Sequence, residues 1–348
     1  MRLAFYAPLK PPEHPVPSGD RTMARALKAA LEHADAQVDL ASSLRSRDSK
    51  GDAKHQTQLI HEAKAALPDI IAQGRAVGWQ AWVTYHNYYK APDLIGPAVA
   101  QALGIPYLLI EATRARKRLD GPWDSFARRA EAASDAADVI FYLTERDHEA
   151  LSAYAPAGQQ LVHLRPFLPQ SELPPRATGA GLLGVGMMRA AAKRASYTLI
   201  AQTMALLPNT TRLSIAGDGP DRPQIEAMMA PYGDRVQFLG ALDGNGLAQA
   251  YRSARAFIWP GVDEAFGMVY LEAQAHGLPV IAQNRPGVRD VLYPNDYPLV
   301  DAGAAGLAAF ARNTMPDPTD IRDHIARHHL LPSAAQTLRA GLTLAGAL

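Results

Sequence analysis

Cysteine is absent from this sequence. That absence excludes disulfide bonds, thiolate metal ligands and cysteine nucleophiles, so any chemistry must come from carboxylates, histidines, cationic side chains and backbone groups. An excess of charge of one sign is also missing, because 35 Lys and Arg residues balance 34 Asp and Glu residues. Aromatic residues are not interleaved with basic ones as a nucleic-acid groove requires. We therefore expect no nucleic-acid partner.

Long hydrophobic runs are lacking too. The apolar stretch Leu3–Ala7 is too short for the core of a signal peptide. No run approaches the roughly 18 apolar residues of a membrane-spanning helix. We expect a cytoplasmic protein, in which any membrane contact is peripheral and at the inner face of the membrane.

Short apolar runs rich in β-branched and aromatic residues alternate with segments of helical period along the 348 residues. This alternation is typical of βαβ units and parallel sheets, and the length suggests two domains. The predicted fold class is α/β, with two Rossmann-like, doubly wound parallel-sheet domains that face each other across a ligand-binding cleft. The predicted strands are near 3–6, 38–40, 81–85, 107–110, 139–143, 161–164, 182–185, 212–215, 236–239, 256–259, 279–281 and 298–300.

The alternation lapses between Phe167 and Gly181, where proline and glycine predict a linker. The predicted domains are an N-terminal Rossmann-like domain at 1–168, a linker at 169–180 and a C-terminal Rossmann-like domain at 181–315. The tail at 316–348 has a helical pattern, and we expect its helices to pack back toward the N-terminal domain.

The most informative segment is Pro260–Ala282, PGVDEAFGMVYLEAQAHGLPVIA. It predicts a helix opening at Ala265–Met268, soon after a strand, whose unpaired amide groups and positive dipole end can bind a phosphate. Gly267 lets a ligand approach the backbone, Glu264 can accept hydrogen bonds from sugar hydroxyls, and Glu272 can reach a ribose. Alternatively, both glutamates are solvated charges at a helix start.

This segment resembles the Glu-x7-Glu signature of retaining glycosyltransferases of the GT-B fold, family 4. The likeness lies in its Glu-x-Phe-Gly start, its Leu-Glu-Ala centre and its Gly-Leu-Pro-Val-Ile end, and one departure is Gly261, where many members carry Ser. The resemblance implies transfer of a hexose from a nucleotide-diphospho-sugar to a hydroxyl acceptor such as a lipid or a cell-envelope glycan. A UDP-sugar is favoured and a GDP-sugar is the other option, and no metal or other cofactor is required. Glu264 would be catalytic, and the donor would be bound by Glu272, Phe266, Gly267 and Met268.

Two other motifs of the second half point to the same nucleotide pocket. RLSIAGDGP resembles the family's strand followed by a Gly-x-Gly-Pro turn, and VQFLGAL resembles its Phe-Leu-Gly strand end beside the base. The resemblance places Gly217, Gly219 and Leu239 at the donor. Taken alone, the two glycines are better explained by a tight strand-to-helix turn.

Cationic side chains follow a strand in GVGMMRAAAKRASY. A leaving diphosphate gathers charge as the glycosidic bond breaks, and cations stabilise that charge. In the family an Arg and a Lys of this loop hold the diphosphate, so the resemblance assigns this catalytic role to Arg189 and Lys193, with Arg194 as a further donor-binding residue. Met187 stands where the family usually has its Arg. A solvated basic helix start is the alternative.

The segment Val83–Ala112 is similar to the family's strand, His, helix, Gly-x-Pro and strand. Many members end the second strand with a His that contacts the donor sugar, whereas this chain has Glu111. A carboxylate there could bind hydroxyls or stabilise an oxocarbenium-like centre, so Glu111 is a candidate catalytic residue. His86 would bind acceptor or sugar, or it caps and packs at a strand end. The family would also place Gly19, in the turn Pro17–Arg21, beside the phosphates, although a simple turn explains it almost as well.

A basic cluster follows Glu111 and consists of Arg114, Arg116, Lys117 and Arg118. It predicts a site for an anionic acceptor or for acidic lipid head groups, at ~1 kcal/mol per charge near a membrane surface. The alternative is a solvated loop.

Hydrolase and metalloenzyme functions lack a convincing motif. His324 and His328 share a helix face, but Ile325 stands where the His-Glu-x-x-His motif needs its glutamate. No serine nucleophile elbow is present. The remaining alternatives are a non-catalytic sugar-nucleotide-binding protein and a sugar-nucleotide epimerase or a phosphorylase of the same two-domain plan.

Overall fold

The computed structural model describes residues 1–16, 18–313 and 315–348, which form two compact units. Unit 1 consists of Met1–Arg165 and Leu331–Leu348, and unit 2 of Pro166–Leu330. This division differs from the predicted domains in three places. Residues 166–168 of the predicted N-terminal domain belong to unit 2. The predicted linker belongs to unit 2, and so do residues 316–330 of the tail.

Unit 1 contains a sheet of six parallel strands in the order β2-β1-β3-β4-β5-β6. The order reverses between β1 and β3, which is the switch point of a doubly wound sheet. Its strands are β1 (Arg2–Tyr6), β2 (Gln37–Ser42), β3 (Ala81–Asn87), β4 (Tyr107–Ala112), β5 (Val139–Tyr142) and β6 (Gln160–His163). Every residue of β3 is buried, as expected for a central parallel strand covered on both faces.

The helices of unit 1 are α1 (Gly19–His33), α2 (Ala53–Val77), α3 (Gly96–Leu103), α4 (Asp124–Ala136), α5 (Glu145–Ser152) and α12 (Leu331–Leu344). α1 begins after Ser18, whose hydroxyl accepts a hydrogen bond from the Arg21 amide and so caps the helix. α12 packs against α1, β5 and β6. Its last turn fits closely, because a Cβ at Gly341 would overlap the Phe141 ring.

Unit 2 contains a sheet of five parallel strands in the order β11-β10-β7-β8-β9. Its strands are β7 (Leu182–Val185), β8 (Leu213–Ala216), β9 (Val236–Gly240), β10 (Ala256–Ile258) and β11 (Val280–Ile281). Its helices are α6 (Ala192–Leu206), α7 (Arg222–Met229), α8 (Gly244–Arg252), α9 (Met268–Ala275), α10 (Gly303–Arg312) and α11 (Pro318–His328). α11 packs against α9 of the same unit.

The predicted α/β class with two parallel sheets is confirmed, and two local predictions are wrong. The apolar residues at 298–300 do not form a strand, because Leu299 and Val300 face solvent and Val300 begins a short 3-10 turn. The helix predicted from Ala265 starts only at Met268, because Gly267 has φ 84, a conformation that a right-handed helix excludes. Among the described residues no helix is long and apolar enough to cross a membrane.

Candidate functional site

Lys193 and Glu264, both predicted to serve the donor, are in contact at one edge of the sheet of unit 2. Lys193 is the second residue of α6, which follows β7, and Glu264 lies in the loop between β10 and α9. Because β7 and β10 are neighbouring parallel strands, the loops after their carboxyl ends meet. The Lys193 ammonium donates a hydrogen bond to Oε1 of Glu264. The topology thus joins two residues that are 71 positions apart.

Trp259 completes this contact, and the sequence motifs did not point to it. Its indole Nε1 donates a hydrogen bond to the same Oε1 of Glu264 at 2.8 Å. The Lys193 ammonium lies 5.3 Å from the centre of the indole ring. The two donors fix the position of the Glu264 carboxylate, which can still accept hydrogen bonds from a ligand. The signal in the sequence was a tryptophan at the end of a buried strand, since a buried indole N–H needs a partner.

The backbone beside this contact is strained. Among the described non-glycine residues of unit 2, Ala191 and Asp263 have positive φ, at 59° and 50°. Ala191 lies two residues before Lys193, and Asp263 directly precedes Glu264. Strained residues persist where surrounding structure holds them, and they cluster at ligand sites.

Gly217 and Gly219 bring the loop after β8 against the loop after β7. A Cβ at Gly217 would overlap the carbonyl oxygen of Gly186, and one at Gly219 would overlap that of Met188. The Asp221 amide donates to the Met188 carbonyl at 3.0 Å. In the structure these glycines support the loop that carries the basic residues, and their contact with a donor stays a prediction.

Glu272 lies on α9 and faces Tyr251 of α8. The Tyr251 hydroxyl donates a hydrogen bond to Oε2 of Glu272 at 2.8 Å. Burial raises the pKa of Glu272 above its ordinary value, and this hydrogen bond opposes the shift in part. The two side chains border a cavity of about 420 Å³, within the size range of small-molecule sites. The cavity is lined by Gln170, Glu172, Pro174, Gly244, Leu247, Ala248, Tyr251, Glu272 and His276.

The basic side chains of the α6 start differ in what they contact. Arg189 is exposed and remains able to reach a ligand. Arg194 donates two hydrogen bonds of 2.5 Å to the two carboxylate oxygens of Asp221, and this pairing lowers the pKa of Asp221. The Arg194 guanidinium is therefore paired with Asp221 within the protein. The sequence analysis did not predict this ion pair.

The remaining predicted donor residues of unit 2 are partly buried. Leu239, Phe266 and Met268 pack against the core. Leu239 borders a second cavity, of about 370 Å³, beside α8, whereas Glu272 borders the first. The structure therefore does not bring Leu239 and Glu272 to one cavity.

In unit 1, His86 and Glu111 are the next-to-last residues of the neighbouring strands β3 and β4. Both have positive φ, at 72° and 58°. His86 Nε2 lies 3.2 Å from Glu111 Oε2. His86 Nδ1 and Glu111 Oε2 are buried and make no hydrogen bond of good geometry among the described residues. Strained backbone with underused polar atoms at strand ends is typical of a binding site.

Tyr85 packs against His86, with ring centres 3.9 Å apart, and was not predicted from the sequence. Burial raises the pKa of Tyr85 well above its ordinary value, with further contributions from the charges of Glu111 and Asp20. Gly19, the first residue of α1, is exposed next to Asp20. Pro17, the start of the predicted turn, lies outside the described residues.

The basic cluster after β4 is only partly available to a ligand. The Arg114 side chain is 2% exposed and pairs with Glu131 at 2.9 Å and Asp135 at 2.7 Å. Arg114 is thus an internal ion-pair partner, and its predicted contact with a membrane or an acceptor stays a prediction. Arg116 lies 4.5 Å over the Tyr154 ring and Arg118 5.0 Å over the Tyr89 ring, whereas Lys117 is exposed.

The histidine pair of the tail lies on α11 in unit 2. The rings of His324 and His328 are 4.9 Å apart, and His324 also meets Tyr293 edge to face. In the described parts of the chain no three His, Asp or Glu side chains are grouped as a metal site.

Comparison with known proteins finds similarity mainly in the second unit. Residues 180–316 match the family model of glycosyl transferases group 1. The sulfoquinovosyl transferase of Arabidopsis thaliana is 38% identical over 132 residues, which are 38% of this chain and 23% of that protein. A GDP-mannose-dependent alpha-mannosyltransferase of Mycobacterium tuberculosis is 43% identical over 84 residues, 24% of this chain and 21% of that protein. The matched segments thus span about a quarter of these relatives.

Similarity to solved structures extends over both units. Anabaena HepE, solved in complex with UDP and glucose, has a TM-score of 0.64 and 14% identity, and the match covers 98% of this chain and 99% of that one. At this identity the likeness concerns the fold. Residues 180–316 are thus similar to the glycosyl transferases group 1, and the two parallel-sheet α/β units have the GT-B fold.

Proposed function

We propose that this protein is a retaining glycosyltransferase that moves a hexose from a nucleotide-diphospho-sugar to a hydroxyl acceptor. The observation that carries the proposal is the contact of Lys193 with Glu264 at the carboxyl ends of β7 and β10. It sets a cation suited to a diphosphate beside a carboxylate suited to sugar hydroxyls. The strained loops that carry both residues support a ligand-binding role.

The proposed roles follow from the chemistry of each side chain. Lys193 and the exposed Arg189 would stabilise the charge that gathers on the leaving diphosphate. Glu264 would orient the sugar, and Glu272 would accept hydrogen bonds from the ribose. His86 and Glu111 would bind a sugar hydroxyl, or Glu111 would stabilise positive charge at the anomeric carbon.

We propose that the donor is a UDP-sugar, with a GDP-sugar as the alternative. Relatives and structural neighbours support both, because one relative is named as GDP-mannose-dependent and the Anabaena structure contains UDP. A thermal-shift panel of UDP, GDP, ADP and dTDP tests the base. A ligand at 100 times its dissociation constant adds ~2.7 kcal/mol to stability, so one nucleotide should raise the melting temperature clearly. No shift with any of the four would contradict the proposal.

Turnover requires its own test. Pure protein incubated with the donor identified by the panel and with candidate hydroxyl acceptors should release nucleoside diphosphate and form an α-configured product from an α-configured donor. Binding without release would favour a non-catalytic sugar-nucleotide-binding protein. Conversion of the donor to an isomer without acceptor would favour an epimerase.

We propose that this transfer needs no metal ion, because Lys193 and Arg189 supply the positive charge that a divalent cation would otherwise bring to the diphosphate. Activity should then be the same with excess chelator and with added Mg²⁺. A chelator-sensitive activity that Mg²⁺ restores would contradict this part of the proposal.

The acceptor is proposed to be a lipid or a cell-envelope glycan, with Arg116, Lys117 and Arg118 as the basic contacts to an acidic membrane surface. Two charges account for ~2 kcal/mol near such a surface, so Arg116→Glu with Lys117→Glu should abolish co-sedimentation with phosphatidylserine vesicles. Arg312→Glu, on α10 of unit 2, is the matched control. Equal sedimentation of all variants would exclude the membrane contact.

A further inference from the structure

Trp259 is held rigidly under the contact of Lys193 with Glu264. Its side chain is fully buried and packs edge to face against Tyr197, with ring centres 5.2 Å apart. The Tyr197 hydroxyl donates to the carbonyl of Gly186 at 2.7 Å. A Cβ at Gly186 would lie 2.5 Å from the indole, so only glycine there leaves room for the ring. The direction of the indole N–H is therefore fixed by packing on both sides.

The three side chains share one oxygen but differ in freedom. The indole N–H and the Lys193 ammonium both donate to Oε1 of Glu264. Lys193 carries its charge on a flexible four-carbon stem, and a quarter of its side chain is exposed. Trp259 has no exposed surface and cannot turn away. Of the two donors, only Lys193 can leave Glu264 for another partner.

We propose that Trp259 is a positioning residue that keeps Glu264 in place while Lys193 exchanges this carboxylate for the oxyanion of a bound diphosphate. The inference rests on the proposed function of Lys193 and Glu264. A phosphate oxygen competes for the ammonium as a second charged acceptor. When Lys193 turns to it, the indole hydrogen bond keeps the Glu264 side chain, which is partly exposed, from turning away into solvent. Glu264 then remains oriented for the hydroxyls of the sugar.

Trp259→Phe separates this role from packing, because it keeps an aromatic ring and removes the N–H. Hydrogen bonds to charged groups contribute about 1.5–3 kcal/mol, so KM for the nucleotide-sugar should rise roughly tenfold or more. The dissociation constant of the nucleoside diphosphate, which has no sugar, should stay within about twofold of wild type. The expected signature is thus a loss confined to the sugar-bearing ligand.

Unit 1 offers a matched control of the same chemistry. Trp79 Nε1 donates to Asp39 Oδ2 at 2.8 Å, and Arg2 Nε donates to that same oxygen at 2.6 Å. Trp79→Phe therefore also removes an indole hydrogen bond from a carboxylate that is paired with a cation. It should lower the melting temperature to a similar extent and leave KM for the nucleotide-sugar unchanged.

Fluorescence gives a second readout, since the chain has four tryptophans and Trp259 has the Lys193 ammonium 5.3 Å from the centre of its ring. Among the described residues, the other tryptophan with a lysine ammonium near its ring is Trp123, beside Lys90 in unit 1. Titration with the nucleoside diphosphate should change the emission of wild type and of Trp79→Phe, as Lys193 leaves the indole, and should leave Trp259→Phe unaffected. Equal weakening of nucleotide-sugar and diphosphate binding in Trp259→Phe would overturn the positioning role, and so would no weakening at all. If wild type binds neither the nucleotide-sugar nor the nucleoside diphosphate, the proposed function of the site is contradicted as well.

Discussion

Glu272 is the site residue whose charge the protein disfavours. Burial raises its pKa, so the folded chain holds this proton to higher pH than the unfolded chain does. Stability contributed by the protonated form is therefore lost as pH rises from the ordinary glutamate range through the raised pKa. Ribose hydroxyls donate hydrogen bonds and thus favour the ionised carboxylate, so donor binding should release a proton.

We predict that affinity for the nucleotide-sugar increases as pH rises through the raised pKa of Glu272. A nucleotide-sugar is the right probe, because its diphosphate has no second ionisation near neutral pH. Calorimetric titrations over a pH series should show the increase in wild type, and Glu272→Gln should bind more weakly at neutral pH and without that dependence. His276 borders the same cavity, and burial lowers its pKa, so His276→Asn is the control that keeps the dependence. A dependence that persists in Glu272→Gln would assign it elsewhere.

Residue chemistry was more predictable from sequence than residue pairing. Glu264, Glu272 and Lys193 stood out because they lie within motifs of fixed spacing. The partners of Arg194 and Arg114 could not be foreseen, because Asp221 and Glu131 reach them only through tertiary packing. Counting the basic residues of a sequence segment therefore gives more cations than are available to a ligand in the structure.

At the scale of elements, the loop between β7 and α6 stores backbone strain at Ala191. A non-glycine residue in such a conformation costs roughly 1–3 kcal/mol, so Ala191→Gly should stabilise the protein by about 1 kcal/mol and raise Tm by roughly 2–4 °C. The same change loosens the loop that presents Lys193, so we predict weaker nucleotide-sugar binding. Calorimetry of unfolding and of binding measures both effects.

Asp120→Gly is the matched control for the loop variant. Asp120 also has positive φ, at 63°. Its ion-pair partner Arg128 is exposed and retains a second ion pair, with Asp124, when Asp120 is replaced. This variant should gain stability without a change in donor affinity. If Ala191→Gly binds the donor as tightly as wild type does, the strain at Ala191 has no part in the site.

His86 and Glu111, near the ends of β3 and β4, are another pair of residues with strained backbone. Glu111→Gln preserves the shape of the side chain and removes its charge, so a role in charge stabilisation predicts a kcat lower by about 100-fold with little change in Tm. Glu111→His introduces the residue that many members of the family 4 glycosyltransferases, which this sequence resembles, carry at this strand end. This variant should retain more activity than Glu111→Gln. Equal activity of both variants and wild type would exclude Glu111 from catalysis.

Elements were predictable where packing and sequence pattern agree. The buried strands are continuous apolar runs, and eleven of the twelve predicted strands are present within a few residues. The segment 298–300 failed because three apolar residues in a row do not reveal whether a neighbouring strand is available to pair with them. The predicted start of α9 was wrong because the positive φ of Gly267, which packs against the Tyr270 ring, depends on tertiary structure.

At the scale of the whole molecule, the chain leaves unit 1 after Arg165 and returns to it at Leu331. The periodicity of the tail predicts helices, but it carries no information on which unit each helix joins. α11 presents Ile321 and Ile325 to unit 2, whereas α12 buries Leu338 and Leu342 in unit 1. The last helix therefore makes unit 1 discontinuous in sequence.

This discontinuity predicts the effect of truncation. A chain ending at Leu330 loses the three buried leucines of α12, worth about 1.5–3 kcal/mol each, which is comparable with the roughly 5–15 kcal/mol that stabilise a whole domain. Unit 1 should then melt early or become sensitive to protease, while unit 2 still binds the nucleoside diphosphate. A chain ending at Leu344 removes only the four residues beyond α12 and should behave like wild type. If both truncated chains melt as wild type does, α12 is dispensable, and the stability of unit 1 resides in residues 1–165 alone.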